Sequence, residues 1–60
     1  MYEIFEKLLN ERGITAYRVS KDTGIPTSSL TDWKKKRSKP KFKNMKILAD
    51  YFNVPISYLL

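Results

Sequence analysis

Cysteine and histidine are both absent from this 60-residue chain. Their absence excludes disulfides, thiolate zinc sites and the side chains most often used as metal ligands and general bases at neutral pH. Glycine occurs twice and proline three times, so no glycine-rich phosphate loop, repeat or low-complexity tract is present. No apolar run approaches the ~20 residues of a membrane span. The opening "MYEIFE" is acidic and lacks the basic-then-apolar order of a signal peptide, so a cytoplasmic location is expected. Acidic residues are also scarce: six Asp and Glu stand against twelve Lys and Arg, a net charge of +6.

Apolar content of 42%, with 13% aromatic, is too high for a disordered chain. Sixty residues make one domain, expected over 1–60. A chain of this size buries only about 60% of the surface its unfolded form exposes, so its core depends on ordinary apolar packing in which every side chain matters.

The charge is concentrated. "SLTDWKKKRSKPKFK", residues 29–43, contains Lys34, Lys35, Lys36, Arg37, Lys39, Lys41 and Lys43, and Lys46 follows. Such a run is either a solvated loop that aids solubility or a surface for a polyanion, whether nucleic acid or an anionic membrane. Charge alone does not choose.

Apolar periodicity organises the chain into helices. Ile4, Phe5, Leu8 and Leu9 recur at helical spacing between Tyr2 and Arg12, with Glu3 and Glu6 in the favourable first turn and Gly13 as the stop. Thr15 is placed to cap a two-turn helix through "AYRVSKDT" that directs Val19 and Ser20 inward and ends at Gly24. Pro26 suits the first position of a third helix carrying Leu30 and Trp33 on one face. Pro40 predicts a loop over Arg37 to Lys41. In "FKNMKILADYFNV", Met45, Leu48, Ala49 and Phe52 repeat at i, i+3, i+4 and i+7, and Asn53 is a left-handed cap. "PISYLL" reads as a last short helix with Pro55 in its first turn and Ile56 and Leu59 closing the core. No segment alternates with period two. The expected fold is all-α, a compact bundle of five short helices.

The spacing inside "AYRVSKDTGIPTSSLTDW" is that of a helix-turn-helix. Small Ser20 lets a second helix approach, Gly24 accepts the turn's positive φ, and Val19, Ile25, Leu30 and Trp33 lock the pair at a fixed angle. One face of the second helix, bearing Thr27, Ser28, Thr31, Asp32 and Lys35, is then free to enter a major groove.

With "RGIT" before the motif, "RSKP" after it and "ILADYFNVPISYLL" as fourth helix and closing segment, the chain from about Leu8 to Leu60 resembles the Cro and phage-repressor type of helix-turn-helix domain, the XRE-like family. The resemblance implies a transcriptional regulator bound to double-stranded DNA, with repression as the expected role; because one domain offers only about 600–1,000 Å² of DNA interface, a homodimer at least on DNA, at a pseudo-palindromic operator, is expected. It implies base-edge contacts at Thr27, Ser28 and Asp32. It implies phosphate contacts at Thr15 and the amide of Ala16, and at Lys35, Lys39 and Lys41, with Arg37 in the same loop. Tyr17 and Arg18 stand beside Ala16, where the family commonly has Gln, and are the candidates to replace that side chain. No cofactor, metal, membrane or small-molecule substrate is implied.

Two further departures matter. Leu9 and Lys34 occupy positions where the family often pairs Arg with Glu; both partners are missing together, which avoids an unpaired buried charge. Lys36 stands where a Gly usually ends the recognition helix, so either Lys36 is strained or the helix runs on.

Several residues have two readings. Tyr17 offers either a phosphate-bonding hydroxyl or a partly buried side chain. Asp32 is either an acceptor for cytosine N4 or a cap or ion-pair partner for a neighbouring Lys. Trp33 reads as core rather than a base-stacking surface. Tyr51, Tyr58 and Leu60 read as packing, or as part of a dimer contact. At the level of the whole chain, an antitoxin-type module that binds both DNA and a protein is the alternative. RNA or membrane binding through the loop alone is disfavoured because Ser38 and Pro40 interrupt any amphipathic basic helix. An enzyme is not expected: Glu3, Glu6 and Glu11 line the polar side of the first helix with no His or Cys to join them.

Overall fold

A computed structural model describes residues 1–60. It contains four α-helices, α1 (Tyr2–Arg12), α2 (Ala16–Thr23), α3 (Thr27–Lys34) and α4 (Phe42–Phe52), followed by a single 3₁₀ turn, Ile56–Tyr58, and no strands. No helix is long and apolar enough to cross a membrane.

The helix ends follow local chemistry. Gly13 adopts φ 65°, and its amide and that of Ile14 return to the carbonyls of Asn10 and Leu9, the paired bonds that close a helix when a left-handed residue follows it. The Thr15 hydroxyl accepts the Arg18 amide at 3.2 Å, satisfying one of the orphan donors of α2. Asn53, at φ 58°, ends α4 as its side-chain type allows. Lys36 is also left-handed, at φ 59°. Of the two outcomes open at that position, the chain takes the strained one: α3 stops at Lys34 and the loop begins at Lys35.

Pro26 and Pro55 each sit one residue earlier than expected. Both have extended ψ, 144° and 147°, so they precede their helical turns and do not belong to them. The Pro26 carbonyl nonetheless accepts the first amides of α3, those of Ser29 and Leu30. The closing segment is one 3₁₀ turn, not an α-helix, held by Tyr58 N–H to Pro55 O and Leu59 N–H to Ile56 O.

The core gathers Phe5, Leu8 and Leu9 of α1, Val19 of α2, Ile25 of the turn, Leu30 and Trp33 of α3, Leu48, Ala49 and Phe52 of α4, and Leu59. Phe5 meets Phe52 edge-on with centroids 6.0 Å apart, a preferred aromatic geometry. Arg12 Nη2 donates to the Phe52 carbonyl at 2.6 Å, and its guanidinium lies 5.6 Å from the Phe52 ring centroid. A cation is thereby placed on the negative end of α4 while α1 is tied to it. Leu9 is buried and Lys34 exposed, so no lone charge is enclosed where the family's Arg and Glu would stand.

Tyr58 and Leu60 correct the packing expectation. With Leu59 fully buried, its neighbours in a turn of three residues must point elsewhere, and Tyr58 and Leu60 are 41% and 72% exposed. Tyr51 is half-buried.

Candidate nucleic-acid interface

α2 and α3 pack through Val19, Ile25 and Leu30, all at or below 3% exposure, and the turn between them is short because Gly24 takes φ 79°. Burial of Leu30 and Trp33 fixes the rotation of α3 about its axis. The face turned outward presents Thr27, Ser28, Thr31 and Lys35, all exposed. These side chains are short hydroxyls ending in one cation, a composition able to donate and accept at base edges.

Asp32 is half-buried at the margin of that face. Its carboxylate lies 3.7 Å from Arg37 Nη1, and its carbonyl accepts the Arg37 amide at 2.8 Å. Asp32 thus has an ion-pair partner in the free chain, an Arg where a Lys was expected, and its side chain is still exposed enough to reach a base. Arg37 remains largely exposed.

The lysines from Lys34 to Lys43 are all exposed. None of them joins an ion pair; those of the chain involve Met1, Arg18, Arg37 and Lys46. Helix ends add to the positive potential. Neither α3 nor α4 has a side-chain N-cap, and neither carries an acidic residue in its first turn. Lys41 and Lys43 thus flank a helix start whose own partial charge is positive.

At the start of α2, the Thr15 oxygen already accepts an amide, which leaves its hydroxyl hydrogen free to donate outward. The Ala16 and Tyr17 amides are first-turn donors without a partner in the chain. Tyr17 is 69% exposed, which removes the reading of a partly buried side chain. Arg18 is differently placed. Its Nε donates to Asp22 Oδ2 at 3.0 Å, and Tyr51 Oη donates to the same oxygen at 2.6 Å. The Tyr51 hydrogen bond, with Arg18 assisting, holds the Asp22 carboxyl below the usual carboxylate range, and the same bond pushes the Tyr51 phenol up. The guanidinium is therefore drawn along α2 toward the last turn of α4.

Phe42 is a residue that periodicity missed. It begins α4 between Lys41 and Lys43 and is 63% exposed. It lies outside the stripe of Met45, Leu48, Ala49 and Phe52, at the first residue of the helix. The larger concavity of the molecule, about 710 Å³, lies beside the basic loop, and its lining includes Trp33, Met45, Leu59, Lys36, Lys39 and Glu3. No cluster of three or more Asp or Glu residues suited to a metal ion occurs.

A family model described as helix-turn-helix matches residues 5–59 of the chain. No curated protein and no solved structure matches it.

Proposed function

The chain belongs to the Cro/C1-type helix-turn-helix family of DNA-binding transcription regulators, and on that premise we propose that it is a sequence-specific repressor that lays α3 in the major groove of duplex DNA. The observation that carries this reading is the two-sidedness of α3: Leu30 and Trp33 are buried while Thr27, Ser28, Thr31 and Lys35 are exposed beside lysines that no carboxylate neutralises. Thr27, Ser28, Thr31 and Lys35 read base edges, with Asp32 at the margin of the contact. Thr15, the Ala16 amide, Tyr17, Arg37, Lys39 and Lys41 hold phosphates, and Arg18 adds charge to the start of α2. A single module of this kind covers roughly 600–1,000 Å² of DNA, small for tight specific binding, so the working unit is a homodimer on a two-fold operator.

Selection of bound sequences from a random duplex pool tests the proposal. The expected product is a pseudo-palindrome whose half-sites are centred about 34–36 Å apart, one helical turn. Recovery of a pool with no shared sequence would overturn specific readout and leave only electrostatic association.

A further inference from the structure

Ser20 is small enough to let α3 approach, and Thr23 closes α2 one residue before Gly24. In the structure both hydroxyls converge on one residue of the turn. Ser20 Oγ donates to the Ile25 carbonyl at 2.5 Å. The Ile25 amide donates to Thr23 Oγ1 at 3.2 Å, and Thr23 Oγ1 in turn donates to the Val19 carbonyl at 2.7 Å. The amide of Gly24 returns to the Ser20 carbonyl at 2.9 Å. Both polar backbone groups of Ile25 are therefore held by side chains of α2, while the Ile25 side chain is 3% exposed in the core.

Burial of Leu30 and Trp33 fixes the rotation of α3, but no other side chain holds the backbone where the helix begins. Pro26 has no amide to donate, no side chain caps the helix, and Thr27 and Ser28 are exposed. We infer that Ser20 and Thr23 are positioning residues for DNA readout: their hydroxyls clamp Ile25 and so set the angle at which α3 leaves the turn. An alanine at 20 would satisfy the steric requirement for close approach equally well; only a hydroxyl supplies the bond to the carbonyl. Partly buried polar groups left unpaired cost free energy, so the clamp narrows the range of turn conformations as well as stabilising one.

The inference rests on the proposed DNA-binding role of α3, and its test separates the two. Ser20→Ala, Thr23→Val and the double variant are compared with Thr23→Ser, which keeps the hydroxyl. Affinity is measured for the selected operator and for a scrambled duplex of equal length at several salt concentrations. In the double variant the operator-to-scrambled ratio should fall about tenfold, the size of one lost base contact, while the salt slope on the scrambled duplex stays unchanged and Thr23→Ser retains the wild-type ratio. A merely destabilised domain would lose active fraction on both duplexes alike and leave the ratio where it was; that result overturns the inference. Without DNA, residual dipolar couplings of α2 and α3 should report an altered interhelical angle in the double variant and faster amide exchange at Ile25. Unchanged angle and exchange overturn the clamp directly. If the wild-type chain itself preferred no duplex, the proposed function would fail, and the couplings would still decide the clamp.

Discussion

α1 differs from α3 and α4 in how the positive end of the helix dipole is met. α1 carries Glu3 in its first turn, further exposed acids at Glu6 and Glu11, and Arg12 turned in toward the end of α4. Glu3 compensates the start of α1 and Arg12 the end of α4, whereas Glu11, in the last turn of α1, compensates neither. Like α1, α3 and α4 have no side-chain cap, but unlike it they carry no acid in their first turns, and the cations between them are exposed. First-turn charge compensation worth several tenths of a kcal/mol is thus used at the start of α1 and forgone at the starts of α3 and α4. A polyanion would supply the missing compensation from outside, and the difference between the regions is itself part of the case for one.

The comparison is broken most severely by removing what joins the two regions. Trp33→Ala should unfold or grossly loosen the domain, since truncating a buried Trp costs about 3–5 kcal/mol and a chain of this size has little more in total. A melting curve within a few degrees of wild type would show that Trp33 does not support the core.

A finer contrast uses two changes of equal charge. With about four to six phosphates neutralised per domain, the logarithm of affinity should fall with the logarithm of salt at a slope of about −4 to −5. Lys39→Ala should make that slope shallower by about one, whereas Lys7→Ala on α1 should leave it alone. If both variants shifted the slope together, the basic run would be acting only through net charge.

Lys36 lies at the border, left-handed at φ 59° and lining the concavity that also holds Glu3. Lys36→Gly removes the steric penalty of a side chain at positive φ and should stabilise the domain by about 1 kcal/mol. For a domain this small that raises the melting temperature by about 4–8 °C. A lowered melting temperature would mean that the Lys36 charge near α1 outweighs the strain.

The parts of this architecture that were legible in sequence are those set locally. Gly13, Gly24 and Asn53 mark helix ends because few other residues tolerate a left-handed backbone. Leu30 and Trp33 identify the buried face of α3 by their spacing alone. Pro26 and Pro55 were placed one residue late because a fixed φ near −60° suits both the residue before a helix and its first turn; only ψ distinguishes them. The tie from Arg12 to the Phe52 carbonyl and the bond from Tyr51 to Asp22 span 40 and 29 residues, and no local pattern encodes a partner that far away. The proposed DNA contacts come only through the family resemblance, since exposure and charge mark a surface without naming what it meets.

The smallest expected effect concerns the one acid of α2. Asp22 is held below the ordinary carboxylate range chiefly by the Tyr51 hydroxyl and then by Arg18. A carboxyl with a depressed folded-state value contributes stability above its unfolded value, near 4, and loses it as pH falls through the folded one. Tyr51→Phe removes the leading cause, so the folded value should rise back toward the ordinary one and that acid-side contribution should shrink. The expected result is a melting temperature slightly lowered at neutral pH, with the gap to wild type closing as pH falls below about 4. The phenol gives the complementary limb: its raised value means the bond stabilises the fold below about pH 10 and is lost as pH rises through the folded value. Melting curves of wild type and Tyr51→Phe that stay parallel across both limbs would show that the bond does not form in solution. Arg18 would keep its i,i+4 partner Asp22 but lose the tie that Tyr51 makes from α4 to that pair.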